Sequence, residues 1–335
     1  MSRENNLLII HTGGTLGMRP REPDQALAPD EVGRTILEFV PELATLAQIE
    51  TRVLYNLDST DIRPEHWLHM AREISSGITS YDGVVITHGT DAMAYTASAL
   101  SFLLRNLPIP VILTGSQRPL ADVRSDGRAN LIGAVDLALR EIREVAVYFD
   151  GKLYRGNRAT KYSTFAFGAF RSPNFPLLAE LGASYQRFGT SLVDDGPFRC
   201  EGRFDSRVMA VHGLPGQHSD YFEALLEVDI RGLLLVLPGV GNLPDRDGAL
   251  STALEKLTRK GTVVAVGSQS PHGRVRLERY EAGRRARDAG AVGIGDMTIE
   301  AAAVKLMYLL GTHGDPEIVR RKMAVPLAGE ISTSK

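Results

Sequence analysis

At 335 residues the chain exceeds the roughly 250–300 residues at which a single hydrophobic core stops growing, so two domains are expected. Hydrophobic residues make up 43%, charged ones 23%, and the net charge is −2, which gives no electrostatic reason to expect nucleic acid or an anionic membrane as a partner. The apolar run Leu7 to Ile10 is too short for a signal-peptide core or a membrane span, and Cys200 is the only cysteine, so a cytoplasmic protein is expected.

Short β-branched runs at Leu7 to His11, Arg52 to Leu57, Val84 to Thr87, Val111 to Thr114 and Val145 to Phe149 predict buried strands. Helical patterns fall between them, at Pro29 to Val40, Pro64 to Ser76, Asp91 to Leu104 and Arg128 to Arg140. This alternation predicts a doubly wound α/β fold with a mostly parallel sheet. The rhythm is lost over 187–207, which gathers Gly, Asp and Pro and reads as a linker between an N-terminal domain, 1–186, and a C-terminal domain, 208–335. The second domain predicts strands at Val208 to Val211, Gly232 to Leu237 and Thr262 to Val266. Its predicted helices are Tyr221 to Glu227, Leu250 to Arg259, Ile299 to Leu310 and Pro316 to Met323.

Three predicted strands run into clusters of small and hydroxyl residues: HTGGTLG, THGTDAMAYTASAL and TGSQRPLADVRSDGRAN. In a parallel sheet these ends share one edge, where ligands bind. Gly13 and Gly14 allow close backbone approach, and Thr12 and Thr15 offer hydroxyls beside it. A dinucleotide site is not expected, because these glycines do not make G-x-G-x-x-G and no G-x-x-x-x-G-K-[ST] occurs. Asp91, at a predicted helix start, reads as an ordinary N-cap as readily as a chemical group. Lys161, in RGNRATKYST, is a surface charge if taken singly. Together, Thr90, Asp91 and Lys161 can form a relay in which a buried amine takes a proton from a hydroxyl or a water and a carboxylate holds it in place.

The successive motifs TGGTLGM, HGTDAMAYTASALSF, LTGSQRP, RGNRATK and GDMTIEAAAVKLMYLL resemble those of bacterial L-asparaginases, in particular the cytoplasmic type I branch, from Leu7 to about Glu330. The resemblance implies an N-terminal α/β domain with a left-handed crossover, a smaller Rossmann-like C-terminal domain, and a homo-oligomer, dimer or tetramer, with active sites where subunits meet. It implies hydrolysis of L-asparagine to L-aspartate and ammonia, with no metal or other cofactor. Thr12 is then the nucleophile that forms a β-acyl-enzyme, and Thr90, Asp91 and Lys161 its activating triad. Asp58, Ser59, Thr60, Gly89 and Ser116 fall at the substrate, Ser59 at its α-carboxylate and Asp91 also at its α-ammonium. By position, the backbone N–H groups of Gly14 and Thr90 are expected to hold the oxyanion.

Two stretches depart from that family's pattern. A tyrosine in the loop after TGGT usually closes over the substrate, but 17–32 contains none; Leu27 stands near its place and the nearest tyrosine is Tyr55. An apolar side chain cannot relay a proton, so the lid works differently, borrows a group or leaves catalysis weak. The loop GSQSPHG carries Ser268 and Ser270 where type I relatives have a TQC-like sequence, whereas Thr160 is kept, which leaves a second, cooperative asparagine site open. His66 and His69 lie three apart beside Trp67 without an H-E-x-x-H or a cysteine cluster, so a metal is not expected. A broader amidase acting on glutamine or another amino-acid amide, and a non-catalytic amino-acid sensor, stand as alternatives.

Overall fold

The computed structural model describes residues 5–21, 26–29, 32–189, 192, 196–245 and 247–333. The chain divides into two compact units, Met1–Ser172 with Pro176–Glu201, and Pro173–Phe175 with Gly202–Lys335.

The first unit is built on an eight-stranded sheet. Its strands are β1 (Asn6–Gly13), β2 (Gln48–Leu57), β3 (Gly83–Thr87), β4 (Val111–Thr114), β5 (Val145–Phe149), β6 (Lys152–Arg155), β7 (Ala179–Leu181) and β8 (Tyr185–Arg187), in the order β8-β7-β6-β5-β4-β3-β1-β2. From β2 to β5 every pairing is parallel. Leu7, Leu8, Ile9 and Ile10 are fully buried, as expected of a central strand covered on both faces, which is why the run is apolar throughout rather than alternating. Between the strands lie α1 (Val32–Phe39), α2 (Pro64–Ser76), α3 (Met93–Leu103) and α4 (Gly127–Ala138). In α2, Pro64 occupies the first turn, where its missing N–H is harmless, and Trp67, Met70, Ala71 and Ile74 form the buried stripe. Ten of the eleven residues of α3 are buried, so its near-uniform apolarity marks an internal helix.

The sequence reading missed the antiparallel part of this sheet. Asp150 and Gly151 both have positive φ, 50° and 77°, and turn β5 directly into β6, the geometry that an Asp-Gly pair favours in a two-residue hairpin. Pro29 was expected to open a helix. Instead Ala26–Pro29 pairs antiparallel with Met18–Arg21, and α1 starts at Val32; the predicted residues 30 and 31 lie outside the described residues.

The second unit holds a parallel four-stranded sheet, β9 (Val208–His212), β10 (Gly232–Leu237), β11 (Val263–Ser268) and β12 (Val292–Gly293), in sequence order. Its helices are α5 (Asp220–Ala224), α6 (Ala249–Arg259), α7 (Glu281–Asp288), α8 (Ile299–His313) and α9 (Pro316–Met323). The predicted helix over 221–227 becomes α5 followed by a tighter turn, Leu225–Glu227. At its centre Lys305 Nζ and Glu330 Oε1 pair at 2.6 Å, both fully buried. The amine also donates to the carbonyls of Met323 and Val325, while the carboxylate accepts from the N–H groups of Leu327 and Ala328. Burial pushes the Lys305 amine below its usual range, opposed by Glu330. Removing one member strands a buried charge, so Glu330→Ala is expected to cost about 3–5 kcal/mol in urea unfolding; a loss well under 1 kcal/mol would contradict this account.

Candidate active site

The ends of β1, β3 and β4 and the turn after β2 meet at the carboxyl edge of the large sheet, beside the point where the strand order reverses around β1. Backbone contact sets the spacing there. Gly14 has a φ of 86°, and a Cβ on it would fall 2.4 Å from Gly89 Cα; a Cβ on Gly89 would fall 2.6 Å from Ser59 Oγ. Only residues without side chains allow TGGT, HGTD and LDSTD to approach this closely.

Thr90, Asp91 and Lys161 come together directly. Lys161 Nζ donates to Thr90 Oγ1 at 2.7 Å and to Asp91 Oδ1 at 2.6 Å. Lys161 extends from a short antiparallel pairing of Thr160 and Lys161 with Phe170 and Arg171, and its side chain is 16% exposed against 60% for Asp91. The N-cap reading of Asp91 does not hold: α3 begins at Met93, its cap is Ala92 without a side-chain bond, and the Asp91 carboxylate faces the amine instead. Thr12 is buried, and its Oγ1 donates to the Thr87 carbonyl at 3.0 Å. Among the described residues no hydrogen bond joins Thr12 to Lys161, Thr90 or Asp91.

The remaining predicted residues differ in what they have free. Ser59, 5% exposed, accepts from the Ala92 N–H at 3.3 Å. Asp58 accepts from both the N–H and the hydroxyl of Thr60, at 2.9 and 2.8 Å, and these bonds hold its carboxyl below the usual range; the pair builds the turn that carries Ser59. Ser116 donates to the Arg118 carbonyl at 2.5 Å, so its hydroxyl serves its own loop. The expectation for Gly14 needs correcting. Its N–H donates to the Leu57 carbonyl at 3.0 Å, because β1 ends in a register shift against β2, and an N–H already paired with a carbonyl is not available to an oxyanion. No acceptor among the described residues takes the Thr90 N–H. Leu27 pairs through its backbone register with Pro20, and its side chain lies outside what the structure describes.

Two residues that the sequence reading passed over organise the rim. Gln117 accepts from Thr90 Oγ1 at 3.4 Å and donates to the Ala166 carbonyl at 3.2 Å. Asp126 accepts from the Gln117 and Arg118 N–H groups and from Asn130. Gln117 directly follows Ser116 in TGSQ, which was the available signal. His66 and His69 serve local structure: His66 Nδ1 accepts the Arg63 N–H at 2.9 Å, and His69 bonds the Tyr55 hydroxyl. Among the described residues no group of three or more His, Cys, Asp or Glu could hold a metal ion.

Two buried histidines underlie the site. Desolvation lowers both His11 and His88 from 6.5 to about 4; for His11 a bond to Asn56 opposes this and His88 adds to it, and for His88 the bond to the Gly89 carbonyl opposes it. The folded values lie below the unfolded one, so between them the unfolded chain binds the extra protons. This part of the stability is fully present above 6.5 and falls as the pH drops, by about 3 kcal/mol per histidine on reaching pH 4. Denaturant titrations at about pH 7 and about pH 5 are expected to show a clearly lower midpoint at the acid value; equal midpoints would show that the histidines charge freely in the fold.

A hydroxyl, an amine and a carboxylate in mutual contact at a sheet edge, next to a buried threonine hydroxyl, define a site for nucleophilic acyl chemistry. The family model described as Asparaginase, N-terminal, matches residues 6–191, and the Glutaminase/Asparaginase C-terminal domain matches 207–323. L-asparaginase 1 of Escherichia coli (strain K12) is 39% identical over 98% of this chain and 99% of its own length. The thermostable L-asparaginase from Thermococcus kodakarensis superposes with a TM-score of 0.90 at 37% identity, over 98% of this chain and 100% of that one. L-asparaginase I from Vibrio cholerae gives 0.88 at 36%, over 99% and 100%. The chain belongs to the asparaginase family.

Proposed function

We propose that this protein hydrolyses L-asparagine to L-aspartate and ammonia by double displacement on a threonine, as a cytoplasmic enzyme of the type I kind. The observation that carries the mechanism is the Lys161 amine seated between Thr90 Oγ1 and Asp91 Oδ1, next to the strand end that bears Thr12. Thr12 Oγ1 attacks the side-chain amide carbon, and its proton passes to the leaving nitrogen. Ammonia departs and a β-acyl-enzyme remains. A water activated by Thr90 and Lys161 then adds to the ester carbonyl and releases aspartate, returning the proton to Thr12. The Thr90 N–H holds the oxyanion in both steps. Ser59 and Asp91 take the substrate's α-carboxylate and α-ammonium, so charge-assisted bonds select an amino-acid amide over a simple amide. The hairpin of Met18–Arg21 and Ala26–Pro29 acts as the lid, without a tyrosine, and 187–207 is the connector between the domains.

The same reading extends to assembly as a homodimer or a pair of dimers. Just after Lys161, Tyr162 is 68%, Phe165 96% and Phe167 38% exposed, and near Ser116 Val123 is fully exposed. Such a group of exposed apolar residues beside a site favours a protein contact. Among the described residues no helix is long and apolar enough to cross a membrane. Light scattering is expected to give a dimer or tetramer for the native chain and smaller species for Phe165→Asp; a monomeric native chain would refute the assembly.

Ammonia release measured with L-asparagine, L-glutamine and D-asparagine tests the activity. Rapid release from L-asparagine is expected, and release mainly from glutamine would move the assignment to a broader amidase. Thr12→Ala and Lys161→Met are each expected to lower kcat by about 10³-fold or more with the fold intact. Near-native turnover in either variant would remove that residue from the mechanism.

A further inference from the structure

Beneath the site runs a chain of buried polar groups that the mechanism above does not use. Trp67 on α2 is 5% exposed, Thr96 on α3 is fully buried and His88 is 1% exposed. Trp67 Nε1 donates to Thr96 Oγ1 at 3.0 Å, Thr96 Oγ1 lies 2.9 Å from His88 Nε2, and His88 Nδ1 lies 2.7 Å from the Gly89 carbonyl oxygen.

Chemistry fixes the direction of every bond in it. An indole N–H can only donate, so Thr96 accepts it at its oxygen. The Gly89 carbonyl can only accept, so the neutral ring carries its hydrogen on Nδ1, which leaves Nε2 bare to accept the Thr96 hydroxyl. Burial keeps the ring neutral, with its pKa lowered to about 4, so a second ring proton does not blur the polarity. The backbone around the ring has little room to move. The His88 N–H donates to the Thr114 carbonyl at 2.9 Å, and a Cβ on Gly115 would lie 2.3 Å from the His88 oxygen.

The carbonyl of Gly89 and the N–H of Thr90 belong to one planar trans peptide and point in opposite directions. Drawing the carbonyl inward to the imidazole turns the N–H outward, where no acceptor among the described residues takes it. We infer that Trp67, Thr96 and His88 are positioning residues that form a one-way hydrogen-bond chain and hold the Thr90 N–H toward the reacting carbonyl oxygen, an inference that rests on the reaction proposed above. The ligand of this device is the oxyanion of the tetrahedral intermediates that form before and after the acyl-enzyme. Reversal of the ring tautomer would put a bare Nδ1 against the Gly89 oxygen, and the repelled peptide would turn its N–H away.

The test pairs kinetics with a spectroscopic reading of the ring. In ¹⁵N spectra of histidine-labelled native protein, His88 is expected as the neutral ring with hydrogen on Nδ1 alone. Thr96→Val keeps the shape and removes the hydroxyl; kcat is expected to fall about 10–100-fold with KM changed less than about twofold, since one misdirected oxyanion donor acts on the transition state. Thr96→Ser, which loses the methyl but keeps the hydroxyl, is expected to restore kcat to within about twofold of native, which a purely packing role would not do. Trp67→Phe removes the indole donor, keeps a ring in the core and checks the same chain where Thr96→Val folds poorly. Native kcat in a folded Thr96→Val, or a hydrogen on Nε2 in the native protein, would overturn the inference. A native protein that hydrolyses no amide would overturn the functional reading instead, leaving the tautomer to decide the hydrogen-bond chain by itself.

Discussion

Contact between bare backbones at the carboxyl edge of the large sheet is the constraint on which the site depends. Gly14 lies against Gly89, and Gly89 against Ser59, at separations that no Cβ would allow. A strand end is a fixed place, but two neighbouring strands ordinarily hold their side chains apart by the sheet spacing. Replacing side chains by glycine at the ends of β1 and β3 lets the adjoining residues, Thr12, Thr90 and Ser59, converge from three different segments. Positive φ at Gly13 and Gly14 then turns the chain out of β1 without the strain that any other residue would incur. The register shift between His11 and Gly13 follows from the same turn, and it presents the Gly14 N–H to the Leu57 carbonyl rather than to a substrate.

Around that convergence, polar groups are divided by depth. Those below the backbone are neutral: His11 bonds the Thr87 hydroxyl at 2.7 Å, and His88 lies between Thr96 and the Gly89 carbonyl. The charged groups, Lys161 and Asp91, lie above it, one mostly covered and the other largely open to solvent. A charge placed beneath the strands would need a partner in a region with no water to share it. Lys305 and Glu330 show what such a placement requires, since each has the other and two backbone partners besides. At the site, the neutral histidines stand beneath the Lys161–Asp91 pair, and the carboxyl groups of Asp58 and Asp126 are held by N–H donors at the rim.

Much of the first unit was legible because its central strands are buried on both faces and so read as unbroken apolar runs, as Val111 to Thr114 does, whereas Arg52 to Leu57, expected to be buried too, lies in the edge strand β2, which has no buried residue. The helix Pro64–Ser76 was legible for a different reason, a stripe at positions 67, 70, 71 and 74 behind a proline start. Glu281–Asp288 was missed because only Gly283 and Ala286 of its residues are buried, which leaves no apolar stripe to detect. The hairpin at Asp150-Gly151 did leave a signal, the dipeptide itself, but Lys152 to Arg155 is short and half-charged. At the site, the identities of Thr90, Asp91 and Lys161 were readable and their contact was not, since a residue 70 positions away in sequence becomes a neighbour only through tertiary folding. Donor direction is equally invisible in a sequence, and this is why Gly14 was assigned an N–H it does not have free.

The motif GDMTIEAAAVKL shows how much of a family signature can be structural. Gly295 sits at a φ of 68°, Asp296 accepts the Ser332 N–H at 2.9 Å, and Thr298 caps α8 by accepting the Ala301 N–H at 3.2 Å. The alanines that follow are buried, and Lys305 closes the segment with its buried partner. Gly295, Asp296, Thr298, the alanines and Lys305 are thus explained by a turn, an N–H acceptor, a cap, close packing and a paired charge. TGGT and HGTD contain the same kinds of device, but there the Thr90 N–H has no acceptor among the described residues, while the hydroxyls of Thr12 and Thr90 are bonded to the Thr87 carbonyl and to Lys161. Among the described residues HGTD thus stops one partner short, and on the proposed reaction that N–H is what the reacting carbonyl oxygen would take.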